Sequence, residues 1–310
     1  MSRFAVPLFF CISGFFFLKP DRQLEATARK LSHSFQLLFG AMMFYMCVTA
    51  LGLTDISLKS YLHVFFSSEW LTRFFISNAP YRWPHLWFLG ALVYIYLFAL
   101  VWFGDGHWIR TAGPIGFLLL LGTMAFQEFA PWLPFPPVVP VDGMGHLRLC
   151  VLFVVRALPF FMIGIWLRLN ETKVRNISIS LLSCVALIIL GGGLAIMEAV
   201  FTVNSQFYIG NYLMVAGMFI WAVKNPTHGC DALVFVGKNL SLYVYIGHII
   251  VGFWIKSCFK YLGIVDTVAF LWLNPILVIL FSMTISGIVY VSVHLLKIAI
   301  QNTLQPENAV

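Results

Sequence analysis

Residues 177–200 read ISISLLSCVALIILGGGLAIMEAV, an apolar run that carries one ionisable side chain, Glu198. A run of roughly 20 apolar residues matches the ~30 Å hydrocarbon thickness of a bilayer. Comparable runs fall near residues 4–18, 35–54, 86–103, 112–130, 149–167, 207–223, 240–257 and 267–295, so the chain is expected to cross a membrane about nine times. Composition agrees: 61% of the 310 residues are hydrophobic and only 10% are charged, more apolar surface than a soluble domain can hide. The runs are continuous rather than alternating. Because backbone in lipid must satisfy its own hydrogen bonds, they are expected to be helices rather than strands. The expected fold is all-α, a polytopic membrane helix bundle forming one domain over residues 1–310, without internal repeats.

The first run is short and follows Arg3, as a secretory signal would, but its bulky Phe residues offer no small-residue cleavage pattern. It reads as a retained helix. Cys11, Cys47, Cys150, Cys184, Cys230 and Cys258 are scattered, mostly through apolar stretches and without a CxxC pair, and read as core filling. The formal charge of +7 sits in connections between spans, so it is a topological signal and implies no nucleic-acid partner. Lys19, Arg22, Arg29, Lys30, Arg168, Lys173, Arg175, Lys224, Lys238 and Lys297 fall on one side. Lys59, Arg73, Arg82, Arg148, Lys256 and Lys260 fall on the other. This bias puts the first connection and the C-terminus in the cytoplasm and the visible N-terminus outside. The external connections 55–84 and 131–148, rich in Trp, Pro and Phe, read as interface structures able to roof a cavity.

An ionisable side chain inside a span is costly and marks function by default. Arg156, in CVLFVVRALPFFMIG, lies too deep to snorkel easily and is expected to face a polar cavity or an anion. Arg3 lies at a span edge, where it can reach the headgroups. His85 opens HLWFLGALVYIYL and reads as an interface anchor or a catalytic group. Ser241, Tyr245 and His248 stand at i, i+4 and i+7, one helical face, which fits a lined cavity or a structural hydrogen-bond network. Glu198 and His294 read as interfacial. Arg22, Arg29 and Lys30 suit lipid headgroups or the docking of phosphates. No P-loop, GxGxxG, HExxH or GxSxG motif occurs, and no metal is expected.

The stretch SRFAVPLFFCISGFFFLK resembles the second-helix signature of the membrane acyltransferase 3 family, with Arg3, Val6, Pro7, Phe9, Phe10, Ser13 and Gly14 matching position by position. HLWFL (His85, Trp87, Phe88), RALPFFMIG (Arg156, Pro159, Phe161, Gly164) and SLYVYIGH (Ser241, Tyr245, His248) recur in the family's order. The resemblance runs from Met1 to the last helix and is strongest to the compact, single-domain members. Family members usually have about ten helices, the first bearing an arginine and a histidine. This sequence matches from the second, so the resemblance implies an upstream start that supplies one more span.

What the resemblance implies is an acyltransferase that moves acetyl from cytoplasmic acetyl-CoA to a hydroxyl of a cell-surface or lipid-linked glycan, in the bacterial inner membrane. Arg3, Arg22, Arg29 and Lys30 are then the residues for the donor's phosphates. His85, His248, Arg156 and Tyr245 are the candidates for acyl transfer. The residues by themselves leave open a transporter or flippase for a lipid-linked sugar, although no matched halves or broken helix pairs support it. A scaffold without activity is the third reading.

Overall fold

The structure is a computed structural model that describes residues 4–19, 22–77, 83–103, 107–128, 138–141, 145–148, 153–201, 208–226 and 229–304. The chain divides into two compact units, one formed by Met1–Cys47 with Leu58–Pro226 and the other by Val48–Ser57 with Thr227–Val310. In order, the helices are α1 (Ala5–Phe15), α2 (Gln23–Ala50), α3 (Leu58–Phe65), α4 (Ser68–Ser77), α5 (Trp87–Trp102), α6 (Ala112–Glu128), α7 (Phe153–Arg156), α8 (Leu158–Leu169) and α9 (Glu171–Asn176). They continue with α10 (Leu181–Phe201), α11 (Ile209–Lys224), α12 (Asp231–Phe235), α13 (Ser241–Tyr261) and α14 (Val268–Leu304). Among the described residues the only strands are β1 (Val138–Val141) and β2 (Gly145–Arg148), an antiparallel hairpin in register from Val138↔Arg148 to Val141↔Gly145.

Every expected apolar run is occupied by a helix. Gln23–Ala50, Trp108–Ala125, Leu181–Phe201, Asp231–Tyr261 and Val268–Gln301 are long and apolar enough to cross a membrane, and Ala5–Phe15, Trp87–Trp102, Leu158–Leu169 and Ile209–Lys224 are shorter apolar helices. The protein is an all-α, multi-pass membrane bundle. The connection 55–84 forms the short helices α3 and α4, whereas most of 131–148 lies outside the described residues.

Two boundaries differ from the expected ones, each for a local reason. The first connection does not end before the second span: α2 starts at Gln23 and runs 28 residues. The Thr27 hydroxyl donates to the Gln23 carbonyl at 2.7 Å and Arg29 pairs with Glu25 one turn away, so polar residues carry the helix beyond the apolar run. The run 149–167 is broken instead. Ala157, at φ −126° and ψ −49°, separates α7 from α8, and Pro159 lies in the first turn of α8. Proline has no N–H to give the carbonyl four residues back. The Thr123 hydroxyl of α6, which donates to the Leu119 carbonyl of its own helix at 2.8 Å, also approaches that carbonyl, Val155 O, at 3.4 Å.

The first unit packs around α1, α5, α8 and α11, with Phe10, Phe17, Phe103, Phe161 and Ile165 wholly buried. Helices α1 and α8 touch backbone to backbone: a Cβ at Gly14 would overlap the Phe161 carbonyl, and one at Gly164 the Cys11 carbonyl. Small residues replace the missing hydrophobic drive between helices in lipid by allowing this approach. Gly191 of α10 and Gly210 of α11 make a second such crossing. Beside it, Glu198 Oε2 accepts the Gly210 N–H at 3.3 Å, at the start of α11. A carboxylate there answers a backbone donor that the helix leaves unbonded and complements the positive helix end. In the second unit, Val251 and Ile255 of α13 bury Phe270 of α14.

Candidate active site

In the first unit α2 supplies Tyr45, wholly buried, and the single 3-10 turn Pro84–Leu86 supplies His85. The Tyr45 hydroxyl lies 2.9 Å from His85 Nε2. Its ring stacks on Trp83 at 4.1 Å and meets the imidazole edge-on at 5.3 Å. A phenol both donates and accepts, so this partner can hold either neutral tautomer of the histidine. Behind the stack, burial pushes the Tyr61 hydroxyl of α3 above the usual phenol range, and the Trp83 indole N–H beside it partly offsets this.

Two residues after His85, Trp87 opens α5 and places its ring under Arg156. The guanidinium carbon lies 3.8 Å from the ring centroid. A partly desolvated contact of this kind contributes roughly 0.5–2 kcal/mol and fixes the plane of the cation while leaving its N–H edge able to bond. Phe10 of α1 packs on the same indole at 5.9 Å. Arg156 owes its position to the break at Ala157, since it is the last residue of α7 rather than a mid-helix residue. One turn of chain thus anchors both the imidazole and, through Trp87, the guanidinium.

The second unit holds Tyr245 and His248 on α13, with ring centroids 6.3 Å apart. His248 Nδ1 lies 2.8 Å from the Tyr245 carbonyl and 3.1 Å from the Val244 carbonyl. Carbonyls only accept, so Nδ1 bears the proton and the neutral imidazole keeps its lone pair on Nε2, as a base requires. Directly before α13 the chain makes a π turn, Val236–Leu240, and the Ser241 hydroxyl donates to the Gly237 carbonyl at 2.7 Å. Such turns recur at functional sites. Ser241, Tyr245 and His248 share one helix as the spacing predicts, with Ser241 bonded into the turn.

Of the basic residues expected to meet phosphates, Arg22 and Arg29 are exposed at the start of α2, and Arg29 pairs with Glu25. The Lys30 ammonium donates to the Phe16 carbonyl at 2.6 Å and lies 5.4 Å from the Phe17 ring, tying α2 to the end of α1. Arg3 lies outside the described residues. No group of three or more His, Cys, Asp or Glu side chains among the described residues is placed to hold a metal ion.

Sequence reasoning missed Tyr45, Trp83 and Thr123. Tyr45 sits in FGAMMFYMC, where one aromatic among many carries no mark of a histidine partner 40 residues away. A family model described as an acyltransferase domain, acyltransferase 3, matches residues 1–291. No curated protein and no solved structure gives a significant match.

Proposed function

The chain belongs to the membrane acyltransferase 3 family, and from this premise we propose that it transfers acetyl from acetyl-CoA to a hydroxyl of a cell-surface or lipid-linked glycan at the bacterial inner membrane. The family model spans both compact units, which supports treating residues 1–310 as one catalytic membrane domain.

The observation that carries the reading is the Tyr45–His85 bond at 2.9 Å, next to an arginine held on Trp87. An imidazole takes the proton of the acceptor hydroxyl as that oxygen attacks the thioester carbonyl. The C–O bond forms, the charge passes to the carbonyl oxygen, and the Arg156 guanidinium stabilises it in a water-poor setting. The C–S bond then breaks and the proton goes to the departing thiolate of coenzyme A. His85 and His248 are the two imidazoles suited to this, His248 through the lone pair on Nε2, with Tyr245 beside it. Arg22 and Arg29, with Arg3 and Lys30, supply positive charge for the donor's phosphates.

The test is acetyl transfer from radiolabelled acetyl-CoA, in membranes containing the chain, to the host glycan. Label that enters the glycan and is released by mild base supports the reading; glycan that crosses the membrane unlabelled overturns it.

A further inference from the structure

A groove of about 710 Å³ opens in the first unit, away from the Tyr45–His85 cluster, between α1, α9, α10 and α11. Its size falls within the roughly 300–1,000 Å³ of ligand pockets. The walls are apolar, with Leu8, Ile12 and Phe16 on one side and Ile188, Met218 and Trp221 on the other. Charge is confined to one end, where Arg168, Glu171 and Arg175 line the groove. Glu171 accepts from Arg168 and from Arg175, whose Nε is 3.0 Å away, so one carboxylate holds two guanidiniums and the end keeps a net positive charge. The carboxylate is turned inward, its side chain 19% exposed against 46% and 43% for the two arginines, which leaves their outer edges to a ligand.

We infer that this groove holds an anionic phospholipid, its headgroup phosphate on Arg168 and Arg175 and one acyl chain along the apolar walls. A guanidinium pair matches phosphate oxygens in a way that a single lysine does not. Ile12, Phe16 and Trp221 remain 37%, 65% and 37% exposed along the groove, so it admits a chain laterally from the bilayer. The amides and hydroxyl of a coenzyme A pantetheine arm find no hydrogen-bond partner on those apolar walls. The basic end lies in the connection that the charge bias assigns to the cytoplasmic face, where basic pockets between spans recruit acidic lipids.

Native mass spectrometry of the purified full chain, titrated with phosphatidylglycerol or phosphatidylcholine, tests this. The expected result is one phosphatidylglycerol retained in preference to phosphatidylcholine, with binding roughly thirtyfold weaker in the Arg168→Gln, Arg175→Gln double variant. Met218→Trp, which fills the groove and leaves the charges in place, is expected to abolish retention as well. Equal retention of both lipids, retention untouched by either variant, or displacement by acetyl-CoA or by a polyprenyl phosphate overturns the inference. If the double variant fails to fold, the lipid preference of the unaltered chain and the filled-groove variant still decide it.

Discussion

The Tyr45 hydroxyl and His85 Nε2 are 2.9 Å apart, joining the last turns of a long helix to a short turn 40 residues later. If this bond sets the proton position on His85, Tyr45→Phe removes it while keeping the ring on Trp83. Acetyl transfer at matched protein level should then fall about tenfold, the worth of one buried hydrogen bond. His85→Ala should cost ~10²–10⁴-fold, the range of a lost general base. Unchanged transfer in both variants would return His85 to the role of an interface anchor.

Arg156 makes its contact with Trp87 through a flat guanidinium, so a lysine is no substitute. Arg156→Lys is expected to lower kcat by about 10²-fold, comparable to removing an oxyanion donor, with little change in the KM for acetyl-CoA. A variant that raises KM alone would place the arginine at the donor instead.

Arg29 provides the complementary case. Exposed on α2 and paired only at the surface, it is expected to act on donor binding. Arg29→Gln should raise the KM for acetyl-CoA about fivefold and leave kcat near its original value. A fall in kcat with KM constant would remove the phosphates from this helix.

The α1–α8 crossing allows a stability test. Gly14→Ala pushes a Cβ into the Phe161 carbonyl, a backbone atom that cannot move aside cheaply. It should cost about 1–3 kcal/mol, seen as a lower melting temperature in detergent. Gly40→Ala in α2, where a Cβ meets nothing within 4 Å, should instead raise it slightly. Equal effects at the two sites would mean that the helices do not touch at Gly14.

Glu198 tests the assignment of a charge in the last turn of α10 to structure. Since its carboxylate accepts the Gly210 N–H at 3.3 Å, Glu198→Ala should destabilise the fold by about 1 kcal/mol, while the transfer rate per folded molecule persists. Loss of transfer without loss of stability would make Glu198 part of the chemistry.

The sequence by itself determined the helices and their membrane setting. In hydrocarbon a backbone has no partner but itself, so each apolar run had to close its own hydrogen bonds, and the runs locate the apolar helices, five of which are long enough to cross a membrane. The Ser241–Tyr245–His248 face was legible on the same ground, because helical spacing needs nothing but the period. The break before Pro159 was legible in principle, but the Thr123 hydroxyl that approaches the freed Val155 carbonyl comes from another helix. Only the tertiary structure decided the rest. Tyr45 joins His85, Trp87 supports Arg156, Lys30 ends α1 and Glu198 starts α11 through contacts that depend on which helix faces which. Apolar faces are interchangeable to hydropathy, and the choice among them is made by close approach at glycines such as Gly14 and Gly164.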